Sequence, residues 1–274
     1  MPSILDQILD VKRREVADLL PRLAALKSAA RDADLPRGFA RALRRTKSGV
    51  RSLKGFDPIS RNSIRIIAEV KHRSPSGGIL VDPFVPGDIA RRYEQGGADA
   101  ISCLTDCDFF GGGIGHLAEV HAAARLPVLR KDFIIDAVQV YEARTAGADA
   151  ILLIAEALDL PAMTDLVALA ASLGMDVLAE AHSDAMVDRA IACGAALVGI
   201  NNRDLATFKV DLATTERLAP RVLAAGRLLV AESGVKTAAD VKRLLAVGAD
   251  AILVGEGLLR SGDVAARLAE FRKA

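Results

Sequence analysis

The sequence predicts an α/β fold, a closed (β/α)8 TIM barrel with an N-terminal helical extension. Three observations predict it. Eight short runs of β-type composition recur from residue 66 onward. Segments with helical periodicity separate them. A five-residue phrase, GADAI, returns at alternate units.

The runs are IIAEVK (66–71), AISCLT (100–105), PVLRKD (127–132), AILLIAE (150–156), DVLAEA (176–181), LVGINN (197–202), RLLVAES (227–233) and AILVGE (251–256). Their starts lie roughly 20–35 residues apart, the size of one strand–helix unit. Most are apolar on both alternating faces, as parallel strands covered by helices require. Between them, VKRLLAVG (241–248) sets Val241, Leu244, Leu245 and Gly248 along one side, with Lys242 and Arg243 outside. PGDIARRYEQGGA and TTERLAPRVLAAG follow the same period.

GADAI begins at Gly97, Gly147 and Gly248, and a worn copy, GAALV, at Gly194. The echo precedes the second, fourth, sixth and eighth runs. Each glycine suits the end of a helix turning tightly into a strand. Eight such units in about 210 residues match a closed barrel. The rival is an open doubly wound sheet, which calls for a Gly-rich dinucleotide turn after an early strand. The nearest candidate, FFGGGIG, follows no run directly and is expected to open no helix.

Residues 1–62 form the extension and a basic linker, treated as part of the domain whose barrel spans 63–274. LDQILDVKRREVADLLPRLAAL reads as an amphipathic helix broken at Pro21. From Arg37 to Arg65 the chain holds nine Lys/Arg and one acid, Asp57. That stretch is either a solvated linker or a lid whose positive charge draws in an anionic substrate.

Composition narrows the function. With 36 basic and 35 acidic residues there is no overall pull toward nucleic acid or an anionic membrane. No Trp and only two Tyr leave little for stacking on bases. No apolar stretch is long enough to span a bilayer and no signal peptide is visible, so a cytoplasmic protein is expected. Cys103, Cys107 and Cys193 are too few and scattered for a disulfide framework. They lack partners at metal-ligand spacing and read as thiols in a reducing compartment. No metal is expected.

A barrel of this kind carries its active site at the C-terminal ends of the strands. The unusual residues stand there. Glu69 and Lys71 close the first run, Lys131 the third, Glu180 the fifth, Asn201 and Asn202 the sixth, Glu232 the seventh and Glu256 the eighth. Alternation puts Glu69 with Lys71, and Lys131 with Phe133, on shared faces. Lysines and carboxylates converging in one mouth shift each other's protonation and can supply an acid and a base. Arg130 and Asp132 read as a strand-end ion pair. ESGV (232–235) and VGEG (254–257) put glycines after the last two strands, where barrels often bind phosphate. His116 and His121 are expected on the surface, His72 and His182 in structural or supporting places.

At this point the motifs match a known family. IIAEVKHRSPSGG, with its Glu-x-Lys-x-x-Ser-Pro core, resembles indole-3-glycerol phosphate synthase. LTDCDFFGG, LPVLRKDFIID, GADAILLI, GINNRDLATFKVDL, AESGV and VGEGLL follow in that family's order over nearly the whole chain. The resemblance implies conversion of 1-(2-carboxyphenylamino)-1-deoxyribulose 5-phosphate to indole-3-glycerol phosphate. Carbon dioxide and water are lost, and the reaction belongs to tryptophan biosynthesis. It implies neither metal nor organic cofactor. It assigns Lys131 as general acid, with Lys71 or Lys131 supplying the proton for dehydration. Glu180 stabilises the cationic intermediate and accepts a proton, Glu69 orients Lys71 or serves as a further base, and Glu232 supports the charge network. Asn201 and Arg203 grip the anthranilate carboxylate. Phe110 and Phe133 hold the aromatic ring, and Ser74, Ser233, Gly234 and Gly255 form the phosphate site.

The sequence departs from the family pattern in places. Lys-Ala-Ser-Pro-Ser-Lys-Gly is common after Lys71. Here the chain reads His72, Arg73, Ser-Pro-Ser, then Gly77, so one loop lysine is absent and Arg73 is the candidate to replace its charge. Gly113 stands where Ser is frequent, and the link from Arg45 to Arg65 is longer than usual. The rival functions are another phosphate-binding barrel such as phosphoribosylanthranilate isomerase, a Schiff-base aldolase, and a non-catalytic phosphate-ligand binder. The expected partner is a small phosphorylated molecule. The chain is expected to act as a monomer, with association with other enzymes of the pathway as the alternative.

Overall fold

Each of the eight apolar runs forms a parallel strand in the computed structural model, which describes residues 3–45, 63–74, 77–204 and 209–274. The strands are β1 (Arg65–Val70), β2 (Ala100–Leu104), β3 (Val128–Lys131), β4 (Ala150–Ile154), β5 (Asp176–Ala181), β6 (Leu197–Asn201), β7 (Leu228–Glu232) and β8 (Ala251–Val254). Each pairs with its neighbours in sequence, and β1 with β8 closes the barrel. Register fixes which side chains point inward. Ile67 faces Ala100 across β1 and β2, and Leu197 faces Leu228 across β6 and β7. One residue of slip would turn every inward side chain out.

Two apolar clusters follow from that alternation. The barrel interior holds Ile67, Leu129, Leu178 and Val230. The larger cluster lies between strands and outer helices, with Ile66, Ile101, Ile151 and Val198. The helices covering it are α4 (Pro86–Gln95), α5 (Ile114–Ala123), α6 (Ala137–Thr145), α7 (Leu160–Ser172), α8 (Asp184–Ala192), α9 (Ala213–Ala224), α10 (Ala238–Ala246), the short α11 (Glu256–Leu259) and α12 (Val264–Arg272).

The repeated phrase has a specific physical job. Gly147 is left-handed at φ +91° and ends α6, a position an L side chain resists. The Asp of the phrase then accepts an N–H from the first or second residue of the preceding strand. Asp99 takes Ile66 at 2.9 Å, Asp149 takes Val128 at 2.7 Å and Asp250 takes Leu229 at 3.0 Å. These are donors that strand pairing would otherwise leave open at the barrel's N-terminal end. The worn copy has Ala196 at the Asp position and lacks that carboxylate; its backbone carbonyl accepts the Leu228 N–H of the following strand, as the carbonyls of Asp149 and Asp250 accept those of Asp176 and Arg65.

The extension comprises α1 (Ile4–Leu19), one 3-10 turn at Leu20–Arg22 containing Pro21, α2 (Leu23–Asp32) and α3 (Phe39–Leu43). Ser3 caps α1 in a reciprocal box with Asp6. α2 packs on α6. Residues 37–45 of the basic stretch form neither a solvated linker nor a lid over the mouth. Phe39 and Leu43 are fully buried against the barrel interior and plug its N-terminal end. Arg37 directs its guanidinium at the carbonyls of Ala124, Leu126 and His121, between 2.7 and 2.9 Å, while its own N–H reaches Asp149. The Ala40 N–H is held by Asp176 at 2.8 Å. The charge read as an attractor is thus partly consumed in tying the plug down. The rest of the lid reading, at 46–62, falls outside the described residues.

Two further expectations are corrected. FFGGG does open a helix, since Gly113 is the N-cap of α5, although eight residues separate that cap from the end of β2. His116 and His121 are partly covered rather than surface residues. His116 sets its edge against Phe84, and His121 Nε2 lies 3.1 Å from Arg37. Burial lowers the pKa of both. Among the described residues no helix is long and apolar enough to cross a membrane.

Candidate active site

Four side chains from alternate strands form one layer at the C-terminal end of the barrel. They are Glu69 on β1, Lys131 on β3, Glu180 on β5 and Glu232 on β7. In such barrels side chains from alternate strands stack in layers of four. Two residues earlier on the same strands come Ile67, Leu129, Leu178 and Val230, so the charged layer sits on an apolar one.

The Lys131 ammonium bridges this layer, 2.8 Å from Glu180 Oε2 and 3.1 Å from Glu232 Oε2. Asn201, from β6, donates its amide to Glu180 Oε1 at 2.9 Å. Lys71 pairs with Glu69, two residues away on the same face. Gly199 makes room for this packing, because a methyl group there would overlap the Glu232 carboxylate. Gly255 does the same for Glu69.

Burial and charge pull these groups apart electrostatically. Burial works against the Lys131 ammonium, but Glu180, Glu232 and Glu69 outweigh it and hold the lysine protonated well above its ordinary range. Burial pushes Glu180 up, and Lys131 with the Asn201 amide more than reverses that, leaving it below the usual carboxylate range. Burial pushes Glu232 up to about 8, with Lys131 opposing and the Glu180 charge adding to the rise. Like charges this close do not both ionise readily. The cluster therefore favours the Lys131 ammonium and the Glu180 carboxylate, with Glu232 the group that holds a proton more readily. Glu232 Oε1 is buried without a hydrogen-bond partner, as a carboxyl that is not fully ionised tolerates better.

Above the layer opens a cavity of about 650 Å³, within the size range of small-molecule sites. Every residue to which the family resemblance gives a role lines it: Glu69, Lys71, Lys131, Glu180, Asn201 and Glu232 near the floor, Ser74, Phe110, Phe133, Arg203, Ser233, Gly234 and Gly255 around the walls. The Phe110 and Phe133 rings form one wall, 6.3 Å apart and tilted by 33°. On another side Ser233 and Gly234 are both left-handed, at φ +64° and +89°, in the turn after β7. Arg203 enters through its neighbour Asn201, whose Oδ1 accepts the Arg203 N–H at 3.0 Å.

Other strand-end residues are engaged by the protein itself. Asn202 turns to the backbone, donating to the Glu232 and Ser233 carbonyls and accepting from Thr215. Arg130 and Asp132 form a buried pair at 3.1 Å, as read from the sequence. His182 pairs with Glu156 at 2.8 Å, which raises its pKa, and His72 stacks on Phe84. Arg73 donates to the carbonyls of Asp108 and Cys107 and is not among the lining residues. The cations that do line the cavity near the turns after β7 and β8 are Lys236, Arg260 and Arg267. The sequence reading missed them. Arg260 carried a signal, because it stands four residues after Glu256 and pairs with it at 2.9 Å. The reading also missed Ile4, Leu5 and Ile8, with which α1 closes the cavity's apolar side. Among the described residues no three His, Cys, Asp or Glu side chains are grouped to hold a metal ion.

Fold and mouth together define a (β/α)8 barrel with an acid–base cluster at the C-terminal ends of its strands. Similar solved structures share that scaffold: N-acetylmannosamine-6-phosphate 2-epimerase from Clostridium perfringens at TM-score 0.58 and 18% identity, covering 81% of this chain and 99% of that one, and a 3-hexulose-6-phosphate synthase at TM-score 0.61 and 17% identity, covering 77% and 99%. At such identities the likeness is one of fold. The chain belongs to the indole-3-glycerol phosphate synthase family, whose model matches residues 5–271. The indole-3-glycerol phosphate synthase of Polaromonas sp. (strain JS666 / ATCC BAA-500) is 47% identical over 273 residues, 99% of this chain and 98% of that protein. That of Aromatoleum aromaticum (strain DSM 19018 / LMG 30748 / EbN1) is 47% identical over 265 residues, 96% of each.

Proposed function

We propose that the protein closes the indole ring of indole-3-glycerol phosphate from 1-(2-carboxyphenylamino)-1-deoxyribulose 5-phosphate. The observation that carries this is the Lys131 ammonium held between Glu180 and Glu232 on the floor of a cavity with an aromatic wall at one side and glycine turns with cations at another. Family membership supports the reaction class, a carboxy-lyase of tryptophan biosynthesis.

The chemistry assigns the parts. The aromatic carbon bearing the carboxylate attacks the ketone carbon, and the ketone oxygen takes a proton from Lys131. Carbon dioxide leaves and returns its bonding electrons to the ring. The new hydroxyl leaves as water, with Lys71 or Lys131 supplying the proton while the ring nitrogen's lone pair forms an iminium. Glu180 faces that cation and accepts the last proton as aromaticity returns. Glu69 orients Lys71, and Glu232 holds Lys131 from the far side. Asn201 and Arg203 engage the carboxylate before it is lost, and Phe110 and Phe133 hold the ring. Ser74, Ser233, Gly234 and Gly255 take the phosphate, with Lys236, Arg260 and Arg267 adding positive charge. A preorganised array of this kind stabilises charge as it develops.

An aldolase reading is disfavoured, because a lysine kept protonated is a poor amine nucleophile. Action as a monomer belongs to this reading, and cytoplasmic residence suits an enzyme with three free thiols. The direct test adds the carboxyphenylamino ribulose phosphate and follows the rise of indole fluorescence together with released carbon dioxide, one per turnover. Fluorescence without carbon dioxide, or neither signal, refutes the assignment. Borohydride added during turnover is expected to trap no lysine adduct.

A further inference from the structure

Lys12 is fully buried, although it lies on α1 in a sequence, VKRREV, that reads as a solvated face. Its ammonium lies 2.9 Å from Asp106, 3.0 Å from Asp132 and 2.9 Å from Glu15 on its own helix. Burial pulls this lysine's pKa down, but the Asp132 and Asp106 charges outweigh it and keep the group charged.

The two aspartates belong to different loops of the mouth, and each fixes one phenylalanine of the aromatic wall. Asp106 Oδ1 accepts the N–H groups of Phe109 at 2.8 Å and Phe110 at 3.1 Å. Asp132 Oδ1 accepts the Phe133 N–H at 2.8 Å, while its Oδ2 accepts from Thr105 and Arg130. One turn before Lys12 on α1 is Ile8, which lines the same cavity. A single ammonium therefore joins three pieces of wall carried by α1, the loop after β2 and the loop after β3.

We propose that Lys12 is a positioning residue that sets the aromatic wall of the substrate cavity by clamping Asp106 and Asp132 beneath Phe110 and Phe133. The clamp is more than an anchor. Burying an ion pair adds little stability over an apolar contact of the same volume; what this one contributes, on the proposal, is a fixed spacing between the loops it joins. The effect on catalysis rests on the reading that Phe110 and Phe133 hold the substrate ring; the clamp itself does not.

Two measurements on Lys12→Met separate those layers. Hydrogen exchange reads the clamp without turnover. The Phe109–Phe110 and Phe133 amides are expected to exchange at least tenfold faster, while β5 and β6 keep wild-type protection. Unchanged exchange at those amides overturns the clamp, whatever the wild-type enzyme converts. Steady-state kinetics read the consequence. kcat/KM is expected to fall about 100-fold, the cost of roughly an ångström of misplacement, with the loss carried by KM. Partial unfolding would instead lower apparent kcat and leave KM alone, and that pattern overturns the proposal. Lys12→Arg, which keeps the charge, is expected to restore most of the loss. If Lys12→Met does not fold, Asp106→Asn replaces it, keeping a carbonyl for the two amides but removing the charge Lys12 grips. A raised KM supports the clamp and a wild-type KM overturns it.

Discussion

Replacing Lys131 with Met probes the acid and the electrostatics of the floor together. The substitution keeps much of the side chain's length and removes only the ammonium that lies 2.8 and 3.1 Å from two carboxylates. One preorganised donor is worth about 2.7–4 kcal/mol at the transition state, so kcat should fall about 10²–10³-fold. Stability should change in a way that depends on pH. In the wild type, Lys131 holds Glu180 below its ordinary range, so that contact adds stability above the unfolded carboxylate value. In the variant the ammonium no longer opposes burial, so both Glu180 and Glu232 move up, with only the Asn201 amide still favouring an ionised Glu180. A raised carboxyl contributes its stability fully below the unfolded value and loses it as pH rises through the folded value. The wild type should therefore be the more stable at both pH 5 and pH 8, with its lead widening toward pH 8. Breaking one partner out of a buried pair costs about 3–5 kcal/mol. Urea unfolding at both pH values, with turnover followed by indole fluorescence, measures both effects. Near-normal kcat in the folded variant would remove Lys131 as the acid. An equal stability loss at both pH values would show that the missing ammonium acts through packing rather than charge.

Two further substitutions test the architecture around this group. Gly199→Ala places a methyl against the Glu232 carboxylate and 3.3 Å from Leu178 Cδ1. It should displace Glu232 from Lys131, cost about 1–3 kcal/mol as overpacking does, and lower kcat more than KM; urea unfolding and steady-state kinetics measure both. Phe39→Ala removes the main plug of the barrel's N-terminal end. It should cost about 3–5 kcal/mol by chemical denaturation while leaving KM of the folded enzyme unchanged, since the cavity opens at the other end.

The barrel was legible because parallel strands covered on both faces are apolar runs, and eight of them leave little choice of topology. The site was legible for a related reason. A charge such as Lys131 or Glu232 ending an apolar strand is conspicuous, and the fold dictates that such ends meet. Lys12 was hidden because its partners, Asp106 and Asp132, lie about a hundred residues away, and a lysine on an amphipathic helix ordinarily faces water. Arg37 misled in the opposite sense. Its charge suggested an attractor for anions, whereas its guanidinium satisfies carbonyls at the closed end of the barrel. The Asp of GADAI was seen as a repeat before it had a role. Its role depends on which strand start lies beside each turn, which only closure of the barrel determines.

The two lysines of the floor differ in where their partners come from. Lys71 is paired with Glu69, two residues away on one strand, so that pairing survives any error in how the strands align. Lys131 depends on Glu180 and Glu232, carried by β5 and β7, and on the Asn201 amide from β6. None of these contacts exists until the barrel is closed in correct register. A donor whose proton is held by groups on other strands has its acidity set by tertiary structure. The same closure buries Glu232 and raises its pKa, while Lys131 and Asn201 lower that of Glu180 beside it. Two carboxyls that would be equivalent in water thus become a hydrogen-bonding support and a proton acceptor, because the barrel gives them unequal shares of one ammonium.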